Sequence, residues 1–261
     1  MVWTLATYNI NGIRARLEAL VSWLDQLRPD VVALQEIKCE DSNFPSEALA
    51  RAGYHATVWG QKSYNGVAIL SRRQPAQAQR GFDDGQPLEE ARLLTARVDG
   101  VWVINSYVPQ GRDPGHPAFQ DKLAFLERMG RHLRERFQPS DPLVWLGDIN
   151  VAPEPLDVFD PKRLAGQVGF HPAEQQALAQ VKAWGLTDLY RLHHPQEKQF
   201  TFWDYRLPKS FQRNLGWRID HLLASEPMAE ACRSAWVDTG PRGQEKPSDH
   251  APVLASFELP E

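Results

Sequence analysis

Cysteine is nearly missing from this chain: Cys39 and Cys232 are the only two, far apart and in neither a C-x-x-C nor a zinc spacing. That excludes a disulfide framework and a thiolate metal site, and it fits a reducing compartment with structural thiols. No stretch of about 18 apolar residues runs together, so no membrane-spanning helix and no membrane partner are expected. The opening Met1-Val2-Trp3-Thr4-Leu5-Ala6 carries strand residues in place of a basic segment followed by an apolar one, so no secretory signal is expected and the protein reads as soluble and intracellular. An excess of positive charge is also missing, since 29 Lys and Arg stand against 33 Asp and Glu for a net charge of −4. Overall charge therefore speaks against a polyanionic partner, while a local basic rim over a metal-neutralised acidic centre stays open. No linker, low-complexity tract or repeat divides the chain, which predicts one domain over residues 1–261.

What the sequence does have is core material: 42% hydrophobic residues, with nine Trp and eleven Phe, enough for a sizeable α/β domain. The rest is organised around Leu143-Val144-Trp145-Leu146-Gly147-Asp148-Ile149-Asn150-Val151-Ala152-Pro153. A short apolar run delivers Asp148 and Asn150, two apart, to the same side of a buried strand end before a Pro-broken loop. A carboxylate there can accept a proton from water or bind a hard cation, and the carboxamide can orient a nucleophile. Taken alone, Gly-Asp-x-Asn is also ordinary turn chemistry.

Periodicity predicts the remaining elements. Val2 to Asn9 reads as a strand, Leu17 to Leu27 as a helix ended by Pro29, and Val31 to Leu34 as a buried strand delivering Gln35-Glu36. Tyr54–Trp59 and Tyr64–Ser71 read as a hairpin, as do Arg92–Val98 and Val101–Val108 around Asp99-Gly100, the second ending at Tyr107-Val108-Pro109-Gln110-Gly111. Phe119 to Phe137 is an amphipathic helix, residues 153–172 a functional or surface loop, and Ala173 to Trp184 a helix stopped by Gly185. Gln199–Trp203, Trp217–Leu223, Cys232–Val237 and Ala251–Phe257 read as strands. Mixed sheets with helices outside are expected.

The polar groups at these strand ends form a set: Asn9, Glu36, Tyr107, Asp148, Asn150, Asp220, Asp249 and His250. So many carboxylates are too costly to bury together without a cation, and oxygen donors without cysteine favour Mg²⁺ or Mn²⁺ over zinc. Asp249 either holds the His250 imidazole charged or ligates the metal; the two point differently along an extended chain. Arg14, Arg16, Arg72, Arg73, Lys162, Arg163, Arg206, Lys209 and Arg213 are candidates for a phosphate-contacting rim.

These blocks resemble the exonuclease III family of apurinic/apyrimidinic endonucleases, within the endonuclease/exonuclease/phosphatase superfamily. The matching segments are Asn9–Ala15, Leu34–Lys38, Gly60–Ala68, Tyr107–Gly111, Gly147–Pro153, Phe200–Arg206, Trp217–Asp220 and Pro247–Pro252, in family order over nearly the whole chain. The resemblance implies a four-layer α/β/β/α sandwich of two packed mixed sheets flanked by helices. It implies Glu36 as the principal Mg²⁺ ligand, Mn²⁺ being a substitute, with Asn9 and Asp249 beside it in the metal set. Asp148 resembles the residue that activates or positions water, and Asn150 the one that holds that water and the phosphate. Tyr107 and His250 match groups facing the scissile phosphate, Asp220 the carboxylate tuning them, and Gln110 the amide contacting the abasic nucleotide's phosphate. Phe202, Trp217 and Ile219 match the pocket for a sugar without its base. Strict alternation, however, sets Trp217 and Ile219 opposite Asp220, so all three border one pocket only at a twisted or kinked strand end.

The implied activity is Mg²⁺-dependent cleavage of the DNA backbone 5′ to abasic sites, with 3′ to 5′ exonuclease and 3′-end trimming, by a monomer acting on duplexes with abasic sites or blocked 3′ ends. The absence of a basic N-terminal extension suggests a bacterial-type, cytoplasmic enzyme without a nuclear address. A phosphatase or lipid phosphodiesterase of the same superfamily is the alternative, against which the Phe-Trp-Asp-Tyr-Arg and Trp-Arg-Ile-Asp blocks speak. A DNA-binding scaffold with a dead site would need a missing catalytic position, and none is missing. His221 has no assigned role.

Overall fold

The structure is a computed structural model describing residues 2–86 and 90–259, so the remaining residues of the domain expected over 1–261 lie outside the described residues. The first half runs β1 (Val2–Asn9), α1 (Leu17–Leu27), β2 (Val31–Gln35), α2 (Ser46–Arg51), β3 (His55–Trp59), β4 (Val67–Ser71), β5 (Gln77–Arg80), β6 (Leu93–Val98) and β7 (Val101–Tyr107). The second runs α3 (Pro117–Arg136), β8 (Leu143–Asp148), α4 (Pro161–Leu164), α5 (Pro172–Lys182), β9 (Thr187–Asp188), α6 (Leu189–His193), β10 (Asp220–Ala224), α7 (Glu226–Ala231), β11 (Cys232–Val237) and β12 (Val253–Glu258). Among the described residues no helix is long and apolar enough to cross a membrane.

Two six-stranded mixed sheets result, in the orders β11-β12-β1-β2-β4-β3 and β5-β6-β7-β8-β10-β9. Side chains that alternate along each strand sort into three apolar layers. Trp3 and Leu5 of β1, Val31 and Ala33 of β2, Val103 of β7, Val144 and Leu146 of β8 and Leu222 of β10 pack between the sheets. Ala6 and Tyr8 turn the other way onto Leu20, Trp23 and Leu24 of α1. Trp145 meets Leu126, Met129 and Leu133 of α3 with Leu178 and Val181 of α5 on the outer face of the second sheet. This is the expected α/β/β/α sandwich.

Parity along the strands explains where a site can arise. The inward-facing series of β1, β2, β7, β8 and β10 starts apolar and becomes polar towards one rim: Thr7 and Asn9, Gln35, Asn105 and Tyr107, Asp148, and Asp220. Just beneath the rim the sheets are stitched together by side chains. Gln35 Nε2 donates to Thr7 Oγ1 at 2.9 Å and Asn105 Oδ1 at 2.7 Å, while Asn105 Nδ2 donates to the carbonyls of Leu34 and Ala68, both at 2.9 Å. Polar groups buried with partners fix one mutual placement of the sheets, because sliding would orphan them.

Several expectations change. Gln199–Trp203 is not a strand; Phe202 makes only isolated bridges to Trp217 and His250. The strand expected over Trp217–Leu223 begins at Asp220. β4 starts at Val67 and not at Tyr64, because Asn65 (φ 53°) and Gly66 (φ 83°) turn the chain just before it. Arg72 and Arg73 leave the rim: they follow β4 at its far end, paired with Asp30 and Asp99.

Candidate active site

β8 reaches the rim through Gly147, whose φ is 138° and where a Cβ would stand 1.9 Å from the Ser106 carbonyl oxygen on β7. No side chain fits between the two strands there, so the Gly before Asp148 is a packing requirement. Asp148 then ends β8, and Asn150 adopts a left-handed φ of 57° beyond the strand. The pair therefore shares one side through a turn and not through strand alternation. Glu36 is likewise left-handed (φ 51°) just past β2, its carbonyl accepting from Gly12 N–H at 2.7 Å. Non-glycine residues in this region are strained and persist where surrounding bonds hold them.

Asp148 and Asp220 are paired across β8 and β10, and His250, arriving from the segment before β12, fills the space between them. Its Nδ1 lies 2.8 Å from Asp220 Oδ2 and its Nε2 3.7 Å from Asp148 Oδ2, all three groups being buried. Burial disfavours charge on the imidazole, but the two carboxylates outweigh it and raise His250 to about 10. Burial pushes Asp148 up as well, to about 8, with Asp220 and Glu36 adding to it against the pull of His250 and Asn9. Asp148 Oδ1 accepts from the Asn150 N–H at 3.1 Å, and Asn150 gives one N–H of its NH2 to the Val108 carbonyl at 2.9 Å.

Asn9 Nδ2 bridges Glu36 Oε1 at 2.8 Å and Asp148 Oδ2 at 2.9 Å, and its Oδ1 accepts from the Asn11 N–H. It thus reaches the metal set through its NH2, holding two carboxylates in place. Burial pushes Glu36 up, but hydrogen bonds from Lys38 and Asn9 outweigh it and hold the carboxyl below its ordinary value. Tyr107 is driven well above its ordinary value by burial and then by Glu36 and Asp148, so it remains a neutral O–H. Of the two options for Asp249, holding the imidazole falls to Asp220; Asp249 Oδ1 accepts from Asn11 Nδ2 at 2.8 Å.

Ten of the twelve predicted residues line one cleft of about 540 Å³: Glu36, Tyr107, Gln110, Asp148, Asn150, Phe202, Trp217, Ile219, Asp249 and His250. Asn9 and Asp220 stand directly behind it, bonded to the residues in front. The conflict over Trp217, Ile219 and Asp220 resolves because the strand begins only at Asp220: Trp217 and Ile219 face the cleft with the buried Arg218, held by Asp157 and Asp188, turned the other way between them, and this alternation breaks at the start of β10, where Arg218 meets His221. Phe202 stacks obliquely on His250 with ring centres 4.8 Å apart. Val168 and Gly169 complete the apolar wall, with Gln167 beside them, and were not singled out from the sequence; a length beyond a plain connection was the only signal they gave.

Among the described residues, Glu36, Asp148 and His250 bring ligand atoms within 4.8 Å of one another. With His250 charged, the donors left are carboxylate oxygens, a hard set suited to a divalent cation. Lys38 Nζ presses on Glu36 Oε2 at 2.8 Å, so this carboxylate is already built to face positive charge. The residues present fit such an ion.

Two packed mixed sheets with an Asp-His-Asp chain and an acidic cluster able to take a cation at one rim define a class, and comparison agrees. The endonuclease/exonuclease/phosphatase family model matches residues 6–250, and the chain belongs to that family. Within it, exodeoxyribonuclease III of Haemophilus influenzae is 36% identical over 263 residues, covering 96% of this chain and 98% of that protein. The structure of an AP endonuclease from Archaeoglobus fulgidus superposes with a TM-score of 0.95 at 40% identity, covering 98% of this chain and 100% of that one. A 3′ phosphatase from Neisseria, solved with a product DNA hairpin, does so with a TM-score of 0.95 at 37% identity over the same shares.

Proposed function

We propose that this chain is a divalent-cation-dependent DNA repair phosphodiesterase that cuts the backbone 5′ to abasic sites and trims blocked 3′ ends. The observation that carries this reading is one cleft in which the Asp148-His250-Asp220 chain and Glu36 face a wall of Phe202, Trp217, Ile219 and Val168. Polar groups suited to phosphate hydrolysis stand beside an apolar recess fit for a sugar without its base.

In this reading Asp148, whose carboxyl burial raises to about 8, accepts in its ionised form a proton from the attacking water, which Asn150 orients. Charged His250 and the neutral Tyr107 hydroxyl face the phosphoryl oxygens and reduce the charge gathered there. Gln110 and Arg112 line the side of the cleft towards the abasic nucleotide's phosphate. Glu36 would hold Mg²⁺, or Mn²⁺ in its place, with Asn9 and Asp249 beside it; when bound, the ion supplies Lewis-acid relief of phosphoryl charge. The cleft is complete within one chain, which supports action as a monomer of one catalytic domain. The free, buried thiols of Cys39 and Cys232 support a cytoplasmic setting.

The test is an end-labelled duplex with one abasic analogue, incubated with and without Mg²⁺ beside an undamaged duplex and an inositol phosphate. Metal-dependent incision 5′ to the analogue is expected. Faster turnover of the inositol phosphate, or tight DNA binding without cleavage under any metal, would reverse the reading.

The His250 environment adds a pH prediction. Neighbouring carboxylates favour the charged imidazole, so removing the Asp220 charge lowers its pKa. Wild-type activity should rise as pH passes through about 8, where Asp148 ionises, and fall as pH rises through about 10, where His250 loses its proton. In Asp220→Asn that alkaline limb should move down by about one to three pH units. Profiles of kcat/KM against pH decide it; coincident alkaline limbs would remove His250 charge from the mechanism.

A further inference from the structure

An amphipathic helix facing a core normally carries leucine where α3 carries Lys122. The side chains of Lys122 and of Glu174 on α5 are both fully buried and pair directly with each other, and neither lines the cleft. A buried ion pair is weak grounds for stability, since apolar replacements of similar volume often do as well or better. Its presence asks for another account, and its other bonds supply one.

Lys122 Nζ donates to the Asn150 carbonyl at 2.7 Å and to the Gln110 carbonyl at 3.3 Å. Glu174 Oε2 accepts from the N–H of Gly169 at 2.8 Å and of His171 at 3.1 Å. Asn150 is the left-handed residue beside Asp148. Gly169, at φ +88°, lies flat against the apolar wall, where an added Cβ would stand 3.3 Å from the Trp217 ring. One buried pair thus ties two sides of the cleft together: the turn carrying Asn150 and Gln110, and the loop on which Trp217 rests.

We propose that Lys122 and Glu174 are positioning residues for phosphodiester cleavage, Lys122 setting Asn150 and Gln110 at the scissile phosphate and Glu174 setting the Gly169–Trp217 wall around the base-free sugar. This rests on the reading of the cleft given above. The two halves differ in the range of substrates they affect. Every substrate presents a phosphate to Asn150, whereas only an abasic duplex places a sugar beyond the cut, against the wall; a duplex ending in a 3′-phosphate has nothing there.

Three variants separate the halves. Lys122→Met should lower kcat about 100-fold on both an abasic duplex and a 3′-phosphate duplex, the size expected for roughly 1 Å of misplacement, with the ratio of the two unchanged. Glu174→Gln should shift the ratio of kcat/KM about tenfold in favour of the 3′-phosphate duplex, chiefly through KM for the abasic one. The double variant Lys122→Met/Glu174→Leu, which leaves no lone buried charge and should fold, is expected to show both defects. Hydrogen exchange on DNA-free protein supplies a readout that needs no activity. Lys122→Met should loosen residues 108–112 and 149–151, and Glu174→Gln residues 166–171, with the rest of the protein unmoved. Losses equal on both substrates and matching the unfolded fraction, a double variant as active as wild type, or unchanged exchange in these loops would each overturn the proposal. Should the wild type cut neither substrate, the reading of the cleft fails by itself, and loosening confined to these loops still supports the pair as what holds them.

Discussion

Asp148→Asn is expected to slow incision at an abasic site by about three orders of magnitude while DNA binding is retained. The substitution keeps the side chain's shape and leaves an oxygen for either the Asn150 N–H or Asn9 Nδ2, both of which now bond this carboxylate. What disappears is the proton acceptor, and loss of a general base is worth about 10² to 10⁴ in rate. Burial raises Asp148 to about 8, so once ionised it is a stronger base than a solvated carboxylate, and above that pH the loss should lie in the upper part of that range. Single-turnover rates with enzyme in excess, beside Kd from fluorescence anisotropy, separate the two quantities. A loss below about tenfold would relieve Asp148 of the role, since general-base catalysis contributes more than that.

Glu36→Gln is the second large effect, and its signature is different. Glu36 is bonded by Asn9 and Lys38 and faces the cleft, its side chain 17% exposed against 2% for Asp148. An ion's charge relief amounts to several kcal/mol, or two to three orders of magnitude at about 1.4 kcal/mol per tenfold. The rate at saturating Mg²⁺ should fall by about that much, and the Mg²⁺ concentration giving half-maximal rate should rise at least about tenfold. In Asp148→Asn that midpoint should move far less. Equal midpoints in wild type and Glu36→Gln would take the ion away from Glu36.

Much of this arrangement was legible in the sequence because two strong signals coincide. Strand-forming residues marked β1 and helical spacing of apolar residues marked α1 at the residues where they are found, and Asp99-Gly100, both at positive φ, made the expected hairpin between β6 and β7. The polar ends of the same strands marked the site, since nothing in a sandwich core calls for Asn9, Asp148 or Asp220 on inward-facing positions. Other parts carried no such signal. β5 is mostly exposed and shows no alternation, and β9 is a two-residue bridge to β10. Residues 199–203 have strand-forming side chains, yet the segment makes only isolated bridges, from Phe202 to Trp217 and to His250, and no ladder. Lys122 looks like any solvated charge between apolar helix positions; only the packing of α5 over α3 shows that it is inside. Arg72 and Arg73 looked like rim cations because composition does not record which end of β4 they follow.

β12 lies between β1 and β11, and His250 comes just ahead of it. During synthesis from the N-terminus, then, β1 waits with one side unpaired until the other described strands have emerged, and the cleft lacks its imidazole for as long. The cleft is therefore completed only as this sheet closes. That delay has a hazard of its own, because an open, apolar β1 edge is a surface on which incomplete chains can stick to one another.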